Sequence, residues 1–256
     1  MIRAALLAVA ALVLVPASAG AGTTRPPLGL TANPAHVALT GSGRAIVRVT
    51  NPGVGAVVVD VGRAGFALDL RGRPKIVARS AARAATTWLS VRPGRFVLRP
   101  GATRPLAVTA RVPRRAESGD HDALLLLTTR PRRSPGVAVR MRLGVVVVVR
   151  APGRVVRRVA VRGLAVRHVR GRRVLELRIA NRGNVTETLG RGRVRITFGR
   201  RATRVRLRAA ARELRPRTMG LVQLSYRGRI RGWVTARAEI AADGLPVVRR
   251  TFRVRL

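Results

Sequence analysis

Three histidines, ten carboxylates and no cysteine carry whatever side-chain chemistry this 256-residue chain can perform. The lack of cysteine removes disulfides, thiol nucleophiles, thiolate metal sites and a lipid-modified N-terminal cysteine. No Gly-x-Ser-x-Gly elbow offers an activated serine. His36 and His168 stand alone in strand-like or turn contexts and read as surface histidines. Asp120-His121-Asp122 is the densest polar cluster. On a strand its two carboxylates share one face and His121 points to the other. Two such carboxylates could hold a hard cation. The favoured reading is that Ser118-Gly119-Asp120 makes a turn and the acids pair with neighbouring arginines. Asp60, Asp69, Asp243, Glu117, Glu176, Glu187, Glu213 and Glu239 are scattered, with no spacing that argues for acid–base work. Gly190-Arg191-Gly192 lacks the Lys-Ser/Thr of a phosphate loop and reads as a hairpin turn. No catalytic residue, metal ligand or cofactor is expected.

The remaining chemistry is positive charge. Lys and Arg number 52 against 10 Asp and Glu, a formal net charge of +42, and Lys75 is the single lysine. Together with the abundance of Ala, Gly, Pro and Val, this reads as the imprint of a GC-rich coding sequence. That origin lowers the weight of any one arginine but leaves a surface that attracts polyanions. Arg193, Arg195, Arg204, Arg206 and Arg208 alternate with aliphatic residues and are the candidate binding side chains. They read as solvated faces that guard strand edges, or as contacts to anionic envelope polymers or lipid headgroups. Nucleic acid is excluded as a partner by export and by the lack of interleaved aromatics. Aromatics make up 3% of the chain, and Trp88 and Trp233 are expected to fill cores. Asn184-Val185-Thr186 is a glycosylation sequon that matters only in a glycosylating secretory route.

Those residues must be positioned by strands. Arg3, the apolar run Ala4 to Val15, Pro16 and Ala17-Ser18-Ala19 form a signal peptide over 1–21, with an uncleaved anchor helix as the alternative. Beyond it the hydrophobic period is two. Val47 to Thr50 and Val57 to Val59 flank the turn Asn51-Pro52-Gly53. Leu106 to Val112, Ala123 to Thr129, Val174 to Ile179, Leu221 to Tyr226, Trp233 to Ile240 and Thr251 to Leu256 read as further strands. The five valines Val145 to Val149 read as a strand buried on both faces. Ala209 to Leu214 hints at a helical turn.

Ala151-Pro152-Gly153 divides the chain, after which the order of signals restarts. The first half runs through Asn51-Pro52-Gly53, Leu98-Arg99-Pro100 and Ser118-Gly119-Asp120; the second runs through Asn181-Arg182-Gly183, Leu214-Arg215-Pro216 and Arg231-Gly232. Short strands with regular Gly/Pro turns point to β-sandwiches. The expected architecture is all-β: two immunoglobulin-like sandwiches, over 27–151 and 152–256, behind the signal peptide. The two asparagines should hold equivalent turns.

The segment from Trp88-Leu89-Ser90-Val91-Arg92-Pro93 through Leu98-Arg99-Pro100-Gly101 to Ser118-Gly119-Asp120 resembles the immunoglobulin-like domain of bacterial surface proteins of the WxL-interacting type. Periplasmic pilus chaperones show a related arrangement. The resemblance implies an exported, non-catalytic, envelope-associated protein. Its partner would be an anionic cell-wall polymer or a surface protein, with peripheral membrane contact as a further option. The alternative is an export or assembly chaperone acting by β-strand addition. Val145 to Val149 discriminates the two: a covered strand is core, whereas an open apolar edge favours strand addition.

Overall fold

In a computed structural model, residues 29–78, 83–130, 139–190, 192–199, 205–242 and 244–256 are described, and the signal-peptide expectation lies outside them. The described residues form strands and turns throughout. Ten strands build the first half: β1 (Thr31–Asn33), β2 (His36–Thr40), β3 (Gly43–Thr50), β4 (Val57–Leu68), β5 (Pro74–Val77), β6 (Leu89–Arg92), β7 (Arg95–Leu98), β8 (Thr103–Ala110), β9 (Gly119–Thr129) and β10 (Arg142–Ala151). Nine build the second: β11 (Val159–Val169), β12 (Arg172–Asn181), β13 (Glu187–Leu189), β14 (Val194–Phe198), β15 (Val205–Arg208), β16 (Arg212–Leu214), β17 (Met219–Tyr226), β18 (Trp233–Ile240) and β19 (Val248–Arg255).

The sheet β1-β3-β8-β6 faces the sheet β2-β10-β9-β4-β5, in which β7 also pairs with β4. Alternation explains the layering. Val47, Val49, Leu106 and Val108 point inward from one sheet and meet Val57, Val59, Leu125, Leu127, Val145, Val147 and Val149 of the other. Burying one such side chain contributes roughly 1.5–3 kcal/mol, so aliphatics supply most of this core, with Phe96 and the half-buried Trp88 as its aromatics. The second half repeats the scheme with β11-β12-β17 against β15-β14-β18-β19, plus the pair β13-β16. Leu175, Leu177, Ile179, Ile196, Leu224 and Ala236 fill its core, and Phe198 meets Tyr226 edge to face at 5.1 Å. These are two immunoglobulin-like sandwiches.

The two asparagines are built into the same turn. Each is fully enclosed, at 0% and 1% exposure. Asn51 Oδ1 accepts from the Gly53 N–H at 2.9 Å, and Asn181 Oδ1 from the Gly183 N–H at 2.9 Å. Asn51 Nδ2 donates to the carbonyls of Gly55 and Leu98, and Asn181 Nδ2 to those of Val185 and Leu214. Even the backbone agrees: Asn51 N–H donates to Ala102, and Asn181 N–H to Thr218, four residues past Leu98 and Leu214 respectively. At the matching turn position one copy has Gly101 at φ 71° and the other has Arg217 at φ 56°.

Two expectations need correction. Ala209 to Leu214 is not helical: Arg212–Leu214 is β16 and pairs with β13. Pro216 disfavours helical dihedrals at Arg215, and Ala209 and Leu214 are drawn into the core. The valine run is buried on both faces only in part. Val145, Val147 and Val149 are core and Val148 is buried on the outer face, but Val146 is half-exposed.

Candidate functional site

The Asp-His-Asp cluster lies where the halves meet. β9 starts at Gly119, whose φ of 102° suits glycine and where a Cβ would run into the Asn184 carbonyl. Asp120 then accepts from Arg150 at 2.7 and 3.1 Å and from the Thr186 N–H at 2.7 Å, while its own N–H donates to the Asn184 carbonyl. Asn184 ties three segments, donating to Ser118 and Arg154 and accepting from the Val156 N–H. Arg83 donates to the carbonyls of Ser118, Asp120 and Asn184 and pairs with Glu117 at 2.8 Å. Asp122 pairs with the enclosed Arg215 at 2.8 Å, and that guanidinium stacks 4.9 Å from the Phe66 ring. A second bridge runs from the β4–β5 turn, where Leu70 O accepts from Leu221 N–H and Arg212.

The two carboxyls titrate in opposite senses. Burial pushes Asp120 up, but the bonds from Arg150 and Thr186 outweigh it and hold its pKa below the usual range. Asp122 is pushed up to about 6 by burial, because Arg215 offsets only part of the desolvation and Asp120 adds repulsion. Burial lowers His121, whose Nε2 lies 2.7 Å from the Glu117 carbonyl and whose ring lies 4.3 Å from Trp88. The acids thus pair with arginines, as expected, but as a buried joint. Arg83, Arg150, Arg215, Asn184 and Thr186 were not legible as its members. The one signal was two close carboxylates in a chain holding ten.

The edge of β10 is the second feature. The N–H of Val146 donates to Ala35 and the carbonyl of Arg150 accepts from Gly41, so even-numbered residues direct their backbone groups toward β2. β2 covers Val146–Arg150 only, whereas β9 covers all of Arg142–Ala151. Among the described residues, no strand pairs with Arg142 or Gly144 on the β2 side. The inward row of this strand reads Val149, Val147, Val145 and Leu143, and the residues before it continue the apolar spacing with Met141 and Val139. Its first three members are core, Leu143 and Met141 pack partly against it, and Val139 is 59% exposed. The apolar row therefore outruns both its core and its neighbour. The valine run is covered on both edges; the open stretch lies just before it.

The described candidate arginines fall on one face. Arg195 of β14 and Arg206 and Arg208 of β15 point outward from the sheet β15-β14-β18-β19, Arg193 is exposed at the start of β14, and Arg204 lies outside the described residues. Arg195 approaches Glu239 at 3.8 Å. Val205 and Leu207 pack partly against the second core. Trp88 is half-buried against the first core. Trp233, expected in a core, is instead 62% exposed under Arg253, because its position is in phase with the outward residues of β18. His36 and His168 are exposed.

No protein-family model and no curated protein matches the chain. Solved structures do. A chain of a chaperone–tip adhesin complex of CFA/I fimbriae biogenesis is 12% identical, with 87% of this chain and 98% of that chain covered and a TM-score of 0.51. The class 5 fimbriae chaperone CfaA is also 12% identical, over 87% and 98%, at a TM-score of 0.48. The CsuC–CsuE chaperone–tip adhesion subunit pre-assembly complex of Acinetobacter baumannii is 12% identical, over 88% and 98%, at 0.46. At this identity the likeness is one of fold: the chain has the immunoglobulin-like β-sandwich architecture found in pilus chaperones.

Proposed function

We propose that the protein is a non-catalytic, exported assembly chaperone that holds a client by β-strand addition along the free edge of β10. The observation that carries this is the apolar series Val139, Met141, Leu143 beside the backbone edge of Arg142 and Gly144, which no strand among the described residues covers. An added strand would gain main-chain hydrogen bonds from the edge and burial from the row. Two other edges are guarded: β5 carries Pro74 and Lys75, and β15 alternates arginine. The fold comparison supports the same side of the choice between chaperone and wall-binding protein. Two of the similar structures are chaperones in complex with tip subunits, and by analogy the client here is a surface protein subunit. In this reading 27–151 and 152–256 are two domains, joined by the Thr186 N–H bond to Asp120 and by the Asp122–Arg215 pair, and the protein acts in the cell envelope after export.

Hydrogen exchange tests it. The amides of Arg142 and Gly144 exchange fast in the free protein and become protected by peptides that alternate Val or Leu with polar residues. Met141→Glu with Leu143→Glu abolishes that protection while leaving the fold intact. Peptide binding that leaves those two amides unprotected would refute strand addition at β10.

A further inference from the structure

The outer face of the sheet β15-β14-β18-β19 sorts its residues in a way that composition does not explain. Its outward positions carry Arg206 and Arg208, Arg195 and Thr197, Trp233, Thr235, Arg237 and Glu239, and Arg249, Thr251, Arg253 and Arg255. Seven arginines thus face one carboxylate among the described residues. Glu239 is already engaged by Arg249 at 3.2 Å and by Arg195 at 3.8 Å. The opposite outer face of the same sandwich, on β11-β12-β17, presents four arginines, Arg167, Arg172 and Arg178 with the exposed Arg162 at the β11 bulge. Among them lie Ala165, Val169, Val174, Glu176, Leu221, Gln223 and Ser225. Arg167 is held by Glu176 at 2.9 Å. A coding bias raises arginine everywhere but does not favour one of two faces, and here the described residues put seven on one and four on the other.

The register gives the charged face a shape. Arg206, Thr197, Arg237 and Thr251 form one row across the four strands. Adjacent strands lie about 4.8 Å apart, so the two arginines flank the shorter threonine at about 10 Å from backbone to backbone. Between them lies a depression of about 390 Å³ lined by Thr197, Phe198, Gly199, Arg206, Thr235, Arg237, Glu239 and Thr251. Two guanidinium forks on either side of hydroxyl donors suit a tetrahedral oxyanion. The next row, Arg208, Arg195, Glu239 and Arg249, and the arginines at 253 and 255, continue the positive field along the strands.

We infer that this face binds a linear polyol-phosphate polymer of the cell-wall type, one phosphate seated in the Arg206–Thr197–Arg237 row and its neighbours tracked by the flanking arginines. The inference is independent of strand addition and lies on the other half of the molecule. A membrane surface is disfavoured because, apart from Trp233, the outward residues between the arginines are hydroxyls and one carboxylate, with nothing to insert. A nucleic acid is disfavoured because that lone aromatic already has the Arg253 guanidinium 5.2 Å over its ring, leaving no free series of stacking platforms.

Synthetic poly(glycerol phosphate) is the probe, with anionic phosphatidylglycerol vesicles and single-stranded DNA as comparison arms. With about four phosphates contacted, affinity falls roughly 50-fold between 50 and 200 mM salt. The triple variant Arg206→Gln, Arg237→Gln, Arg253→Gln weakens polymer binding at least about tenfold. A second triple variant, Arg114→Gln, Arg115→Gln, Arg178→Gln, removes the same net charge elsewhere and leaves binding within about twofold. Both variants retain the hydrogen-exchange response of Arg142 and Gly144 to strand peptides, so failure here is separable from failure of the chaperone reading. Equal loss in the two triple variants would overturn the inference in favour of undirected charge. So would tighter binding to vesicles or DNA than to the polymer at equal phosphate concentration.

Discussion

The two sandwiches share a hinge of turn chemistry and differ on their surfaces. Asn51 and Asn181 bond the same positions at nearly the same distances, so the scaffold is one design used twice. What surrounds the scaffold diverges. The first sandwich leaves part of β10 open with an apolar row, and its neighbouring sheet β1-β3-β8-β6 carries arginine only sparsely, at Arg44, Arg48 and Arg92 among the outward positions. The second puts seven arginines on one outer face. Enclosed polar hubs fix where strands turn and are intolerant of change. Outward residues and edges carry little of the stability and are free to specialise.

The largest effect expected from this comparison is at the hubs. Asn51→Ala and Asn181→Ala each leave buried carbonyls and an N–H without partners, and each should cost about 3 kcal/mol in denaturant unfolding. Near-equal losses support the duplication. A loss below about 1 kcal/mol at Asn181 alone would show that the second hub is not an equivalent element.

The joint between the sandwiches comes next. Asp120→Ala strands the Thr186 N–H and frees Arg150, and should cost about 2 kcal/mol, discounted because Arg150 is partly exposed. Calorimetry should then show the single unfolding transition split into two. A single transition with an unchanged midpoint would mean that the joint does not couple the halves.

The third effect is a pH dependence with an unusual sign. Asp122 has a folded pKa of about 6, above its unfolded value of about 4. Between those values the folded protein binds more protons than the unfolded chain. The contribution of this group to stability therefore rises as pH falls from about 6 to about 4, by up to roughly 3 kcal/mol. Asp120, whose pKa is depressed, contributes stability above about pH 4 that is lost on further acidification. Denaturation series at pH 7, 5 and 3 should show a gain and then a loss. Asp122→Asn should flatten the gain between pH 6 and 4 and leave the loss below pH 4; persistence of the gain in that variant would assign it elsewhere.

The smallest effect sharpens the comparison at one residue. Arg217 occupies the left-handed conformation that its counterpart Gly101 fills. Arg217→Gly removes that strain and also the exposed ion pair with Glu117. The net expectation is a stabilisation of about 0.5–1 kcal/mol. No gain in melting temperature would indicate that the turn is not strained.

Alternation and turn residues determined most of the scaffold. Val174 to Ile179, Trp233 to Ile240 and the paired Asn-x-Gly turns are local patterns, and period-two burial follows from the geometry of a strand whatever its partners. Local pattern also misled, as at Ala209 to Leu214, where pairing with β13 overrode an apparent helical turn, and at Trp233, whose size suggested a core but whose place in the alternation faces solvent. The tertiary structure alone decided three things: that Asp120 and Asp122 meet Arg150 and Arg215 in a buried joint, that β2 stops short of Arg142–Val145, and that arginines from four strands share one face. Each depends on which strands lie side by side and in what register. Those choices join residues tens of positions apart, and a one-residue shift in register would send every side chain of a strand to the opposite face.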